Sequence, residues 1–160
     1  MGDLLPGNIL IDAHQYPLRL YILDWEFTGT GSPGSEIGLF CANLDLLRRR
    51  NQVASGPASV ILQNFLDAYS LIANRDTHLA QDVLAHWGMN YVFWAPRDLL
   101  GDKELVHNLV KEGVQFLVQS RDEDFLGQSP VKGLLPERKV ECFPPEGKAD
   151  VLACDNRYFL

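Results

Sequence analysis

Cysteine is scarce in this chain. Its 160 residues hold three, Cys41, Cys142 and Cys154, and no two form a C-x-x-C pair. An odd number without metal-ligand spacing excludes a fully paired disulfide framework and reads as free thiols in a reducing compartment. No apolar run is long enough to span a bilayer. The N-terminus lacks the basic segment and apolar stretch of a secretory signal. Pro6 stands where N-myristoylation after Gly2 needs Ser or Thr. Cytoplasm is the expected location. Positive charge is also in deficit: Lys and Arg total 14 against 21 Asp and Glu, a formal net charge of −7. That argues against nucleic acid or an anionic membrane as partner and is compatible with a cationic substrate. No internal repeat is present.

What is there is an ordinary globular composition, 46% hydrophobic and 22% charged, with length for one domain and a real core. Residues 9–12 and 19–25 are short β-branched or aromatic runs separated by the turn-like His14-Gln15-Tyr16-Pro17, which predicts a β-hairpin. Helical spacing follows. Ser35 caps a first helix carrying Ile37, Phe40, Cys41, Leu44 and Leu47, closed by Arg48, Arg49 and Arg50 where positive charge suits the helix dipole. Ser55-Gly56-Pro57 breaks the pattern before a second helix with Ile61, Phe65, Leu66, Tyr69 and Ile72 on one face. A third helix runs from about Thr77 to Trp94, with Leu79, Val83, Trp87, Tyr91 and Trp94 as its stripe, and Pro96 ends it. A fourth, after Asp102, carries Leu105, Leu109, Val110 and Leu117, slightly weakened by Gly113. From 121 to 160 periodicity fades and prolines scatter, as in a partly disordered tail. The expected fold class is α+β, mainly α, with the hairpin packed on about four helices.

The most informative string is Gly2-Asp3-Leu4-Leu5-Pro6-Gly7-Asn8-Ile9-Leu10, followed by Tyr21-Ile22-Leu23-Asp24-Trp25-Glu26. An acid, an amide five positions on, and a second acid after the next apolar run are the parts of a phosphoryl-transfer site. Asp3 would accept the hydrogen bond of an attacking hydroxyl. Asn8 and Asp24 offer hard oxygen ligands of the kind Mg²⁺ prefers. Pro6-Gly7 sets a tight turn between the first two. In a hairpin, the residues entering the first strand and leaving the second lie at the same end, so Asp24 can meet Asp3 and Asn8. Alone, an Asp and an Asn five apart are common turn residues; the longer combination is the specific signal.

With its D-W-E continuation, that combination resembles the catalytic-loop region of aminoglycoside phosphotransferase-like and choline-kinase-like enzymes, which include 5-methylthioribose kinase. The stretches 29–50, His86-Trp87-Gly88 through Arg97, and Gly101-Asp102-Lys103-Glu104-Leu105 are similar to fungal members. The resemblance covers residues 2 to about 120. It implies the large, C-terminal lobe of a kinase-like fold over 1–120 and an ATP-dependent transfer to a small-molecule hydroxyl. Asp3 would be the catalytic-loop Asp, and Asn8 with Asp24 the residues for Mg²⁺ and ATP. Met1 stands where the family has His, and Glu36 where many members brace the loop with Asp. No Gly-rich loop followed by a lysine-bearing strand stands in this sequence. The resemblance therefore implies a fragment without the small lobe, with doubtful ATP binding and feeble activity alone. The alternative is a non-catalytic remnant or a pseudokinase-like binding lobe.

Other motifs carry less. Gly29-Thr30-Gly31-Ser32-Pro33-Gly34 has the glycine spacing of a dinucleotide-binding turn, but a hairpin precedes it and no acid ends a strand about 20 residues on. His78, Asp82 and His86 share a helical face and read as a polar stripe rather than a metal site. Trp87, Tyr91, Phe93 and Trp94 read as core, not as a stacking platform.

Overall fold

A computed structural model describes residues 2–136 apart from 74 and 100. Two strands, β1 (Ile9–Asp12) and β2 (Arg19–Ile22), pair antiparallel with Ile9 opposite Ile22 and Asp12 opposite Arg19. The turn begins where the Asp12 carboxylate accepts the His14 N–H at 3.0 Å. A 3-10 turn, Pro6–Asn8, leads into β1. The rest of the described chain is mainly helical: α1 (Pro33–Arg50), α2 (Gln52–Ile72), α3 (Thr77–Asp98), α4 (Lys103–Gln119) and a short α5 (Glu123–Leu126).

Helix boundaries follow their caps. Ser32, not Ser35, starts α1: its Oγ accepts the Gly34 N–H at 3.1 Å. Pro33 then takes the first helical position, where a missing N–H costs nothing. Asn51 ends α1 and caps α2 through bonds from Val53 and Ala54 at 3.0 and 3.1 Å. That double cap starts α2 ahead of Ser55-Gly56-Pro57, so the expected break is absent. Pro57 forfeits one bond within a 21-residue helix. Its buried face is Ala58 and Leu66 with Leu62, Phe65 and Tyr69 against them, while Ile61 and Ile72 are exposed. Likewise α3 continues through Pro96, because Leu99 N–H still reaches the Ala95 carbonyl at 3.1 Å and closes the turn.

The core forms where α1 and α4 cover α3. Val83, Leu84, Trp87 and Tyr91 of α3 are buried with Cys41 of α1 and Leu109 and Phe116 of α4. Trp87 meets Tyr91 and Phe116 edge-on at 6.5 and 6.1 Å. Trp94, expected in the stripe, is exposed along with Phe93. Two glycines set the α3–α4 spacing. A Cβ on Gly113 would lie 2.7 Å from the Gly88 carbonyl oxygen, and one on Gly88 would lie 2.5 Å from that of Gly113.

A carboxylate lies inside this core. Asp45, 1% exposed, accepts from Arg48 Nε at 2.6 Å, Arg49 Nε at 2.5 Å and the Tyr91 hydroxyl. The other end of Arg49 makes two bonds to Glu112, at 2.7 and 2.9 Å. The basic end of α1 is thus an ion-paired junction of three helices, not simply a solvated terminus. Burial, with the nearby Asp45 charge, pushes the Tyr91 hydroxyl and the Cys41 thiol well above their ordinary values.

The packed body runs past residue 120. Asp122 caps α5, and Leu126, Val131 and Leu134 are buried in the main core. The weak periodicity of this stretch reflects short turns, each placing one apolar residue inward. The remainder of the expected tail, 137–160, lies outside the described residues.

Candidate functional site

The site begins at the junction of the hairpin and α1. Glu36, in the first turn of α1, turns its carboxylate to the peptide around Asp3. One oxygen accepts the Gly2 N–H and the other the Leu4 N–H, the latter at 3.1 Å. The residues on both sides of Asp3 are therefore fixed to a helix end. Gly2 itself takes φ +94° and packs so closely on Phe27 that a Cβ would lie 2.3 Å from the Phe27 carbonyl oxygen. Only glycine fits there.

Asn8 closes the loop from the other side. Its Nδ2 donates to the Asp3 backbone carbonyl at 3.0 Å and to the Asp3 carboxylate at 3.2 Å. With the amide nitrogen engaged, the side-chain oxygen of Asn8 remains to act as acceptor or ligand. Asp3 and Asn8 are both half-buried.

Asp24 reaches this end of the ribbon through the backbone. The Leu23 N–H donates to the Asn8 carbonyl at 2.8 Å, continuing the hairpin ladder one step beyond Ile9 and Ile22. Asp24 is next, with a left-handed backbone, φ 63°. That conformation is uncommon for a residue with a side chain, and Asp tolerates it better than most. The Trp25 indole N–H donates to the Ile22 carbonyl at 2.8 Å, fastening the turn on both sides of Asp24. Asp24 is exposed and makes no hydrogen bond to Asp3 or Asn8 among the described residues. The backbone thus brings all three residues to one end of the hairpin, and side-chain bonding joins Asp3 with Asn8.

The donor set suits a hard cation. The side-chain oxygens of Asn8 and Asp24 are hard donors, and Mg²⁺ commonly takes one or two carboxylates together with waters and phosphate oxygens. Among the described residues no group of three or more His, Cys, Asp and Glu is arranged around a common point. Within the stripe His78, Asp82, His86, Asp82 accepts from Ser32 Oγ at 2.6 Å. The glycine-rich stretch also has a packing role. Gly34 lies inside α1, where a Cβ would meet Asp82 Cβ at 2.4 Å.

Two features of the site were not visible in sequence patterning: the Gly2–Phe27 contact and the Trp25 clamp. Trp25 carried a signal of its own, an indole N–H needing an acceptor beside an acid at a strand end.

Comparison with known proteins adds a functional direction. The chain is distantly similar to fungal 4-hydroxytryptamine kinases. It is 29% identical over 132 residues to the 4-hydroxytryptamine kinase of Psilocybe cubensis, covering 80% of this chain and 36% of that enzyme. Against the enzyme of the same name from Psilocybe cyanescens it is 27% identical over 131 residues, with the same coverage of 80% and 36%. The chain thus spans about a third of the length of the curated relatives it matches. No protein-family model matches it. No helix among the described residues is long and apolar enough to cross a membrane.

Proposed function

We propose that this chain carries the hydroxyl-orienting and metal-binding part of an ATP-dependent phosphotransferase for small molecules, of the aminoglycoside phosphotransferase and choline kinase type. The observation that carries the reading is the backbone arrangement that gathers Asp3, Asn8 and Asp24 at one end of the hairpin. The distant similarity to 4-hydroxytryptamine kinases supports it.

In this reading the Asp3 carboxylate accepts the hydrogen bond of the acceptor hydroxyl and holds that oxygen in line with the phosphoryl group. Because phosphoryl transfer needs the attacking and leaving oxygens in line, positioning is the main contribution. Glu36 fixes the peptide around Asp3, so the carboxylate is not free to swing. The Asn8 side-chain oxygen and the Asp24 carboxylate would hold Mg²⁺, which supplies charge neutralisation on the phosphates of ATP. The substrate is a small hydroxylated molecule. An amine is favoured, since 4-hydroxytryptamine carries one and this chain has a net charge of −7.

One observation favours the rival reading of a non-catalytic binding lobe. Trp25 and Phe27, which follow Asp24, are 57% and 63% exposed.

The two readings separate by calorimetry with Mg²⁺–ATP, followed by turnover assays on hydroxylated amines including 4-hydroxytryptamine. Phosphotransfer predicts metal-dependent nucleotide binding that Asp24→Ala abolishes and Asp3→Ala spares, with Asp3→Ala removing turnover. Absence of binding at millimolar nucleotide would sink the proposal and leave the non-catalytic lobe.

A further inference from the structure

The outer surface of α3 and α4 carries a second amphipathic pattern, independent of the candidate site. At about 100° per residue, α4 divides into three sectors. One is the core face, with Leu105, Leu109, Gly113 and Phe116. A polar edge beside it holds Glu104, Asn108, Glu112, Gln115 and Gln119. The third is a sector of apolar residues, Val106, Val110, Val114, Leu117 and Val118, interleaved with Lys103, His107 and Lys111. No acid falls inside it. Val114 is 47% and Val118 76% exposed. A helix that buries one stripe and shows a second apolar stripe to solvent has an unused face.

α3 continues the surface. Met89, Val92, Phe93, Pro96 and Leu117 of α4 line an open groove of about 470 Å³ together with Arg97. Pro96 also borders a second groove, of about 390 Å³, with Val106, Val110, Lys103 and His107. The two grooves meet at Pro96 and follow the seam between the helices. Arg97 is set in place at its rim: it donates to the Phe93 carbonyl at 2.9 Å and lies 3.6 Å from the centre of the Phe93 ring. Neither Arg97, Lys103 nor Lys111 pairs with an acid among the described residues, whereas Arg48 and Arg49 do. Among the described residues the two groove linings hold the bases Arg97 and Lys103 and no acid, a segregated charge pattern in a chain with seven more acids than bases.

We infer that the α3–α4 groove docks an acidic amphipathic helix of a partner protein, apolar side chains along the seam and carboxylates toward Arg97, Lys103 and Lys111. Two open grooves joined at Pro96 between two helices suit a helix laid into them. The bases supply charge complementarity, which selects partner and orientation. A second copy docking through the same face would set these bases against themselves. An anionic membrane is disfavoured by the net charge and by the small number of bases, since lipid-binding clusters hold about 4–8 Lys or Arg.

The test uses the full chain, ¹⁵N-labelled, and a synthetic 18-residue helix with leucines at i, i+3, i+4 and i+7 and glutamates on both flanks. The same peptide with lysines for glutamates is the control. The expected result is shift changes mapping to Met89, Phe93, Arg97, Val110, Val114 and Leu117, with the glutamate peptide bound about tenfold tighter and more weakly at high salt. The Lys103→Glu/Lys111→Glu double variant, checked for its fold by circular dichroism, should reverse that preference. Equal response to both peptides, or none at millimolar peptide, overturns the proposal. So does either alternative occupant: phosphatidylserine vesicles perturbing the same residues with the glutamate peptide inert, or the face broadening with protein concentration alone.

Discussion

The Glu36 carboxylate accepts the Leu4 backbone N–H at 3.1 Å while its other oxygen accepts that of Gly2. A helix end thereby holds the peptide on either side of Asp3. Each bond has a charged acceptor, and such bonds contribute about 1.5–3 kcal/mol. Removing them with Glu36→Ala should free the loop while leaving the helical core intact. Hydrogen exchange should show Gly2 and Leu4 amides losing protection, with thermal unfolding lowered by about 5–15 °C if the loop and the core unfold together. Glu36→Asp has the charge but a shorter reach and should retain one of the two bonds. Unchanged exchange in Glu36→Ala would mean that Asn8 and the Gly2–Phe27 packing hold the loop without it.

At Asp24 stability and chemistry separate. Its left-handed backbone, φ 63°, costs about 1–2 kcal/mol for a residue with a Cβ. Asp24→Gly removes that cost and the carboxylate together. The variant should unfold at the same temperature or slightly higher, yet lose Mg²⁺-dependent nucleotide binding. Asp24→Ala should lose the same binding and be less stable than the glycine variant. A glycine variant that retained metal-dependent binding would remove Asp24 from the site.

The hairpin, the helix order and the α4 start were legible because local chemistry sets them: β-branched runs, the Asp102 cap and apolar periodicity. The helix breaks at Pro57 and Pro96 were misjudged because Asn51 and the Leu99–Ala95 bond act beyond the proline itself. Asp3, Asn8 and Asp24 were singled out by residue type and spacing. What brings Asp24 near Asn8 is the Leu23–Asn8 backbone bond, which the hairpin reading implied. The Gly2–Phe27 contact and the Asp45 junction could not be read, since each joins residues whose distance in sequence carries no local signal. Gly113 shows the limit most directly, as local propensity assigns it a cost and the structure assigns it a task.

That task gives an opposed pair of expectations. Helix propensity favours Gly113→Ala by about 0.8–1.0 kcal/mol. The structure opposes it, because the new Cβ would lie 2.7 Å from the Gly88 carbonyl oxygen and 2.8 Å from Tyr91 Cβ. Neither neighbour is the far end of a flexible side chain. Overpacking of this kind costs about 1–3 kcal/mol, so the variant should be net destabilised in urea unfolding. Gly101→Ala, where no atom lies within 4 Å of the new Cβ, is the control and should be near neutral. A stabilised Gly113→Ala would show that α3 and α4 separate easily.

The Asp45 junction makes stability fall in alkali. Burial and the Asp45 charge raise Cys41 above its ordinary 9.0 and Tyr91 above its ordinary 10.0. Both groups hold their protons more tightly folded than unfolded. Their contribution is fully present below about pH 9 and is lost as pH climbs through 9 for the thiol and 10 for the phenol. Each group contributes a slope of about 1.4 kcal/mol per pH unit once its unfolded form is deprotonated. Urea midpoints should therefore be flat from pH 7 to 8.5 and decline steeply by pH 11. Tyr91→Phe removes one hydrogen bond to Asp45 and should cost about 1–2 kcal/mol at neutral pH. The same variant should decline less steeply in alkali, since one of the two titrating groups is gone. A Tyr91→Phe profile parallel to wild type above pH 10 would show that the phenol does not carry the alkaline loss.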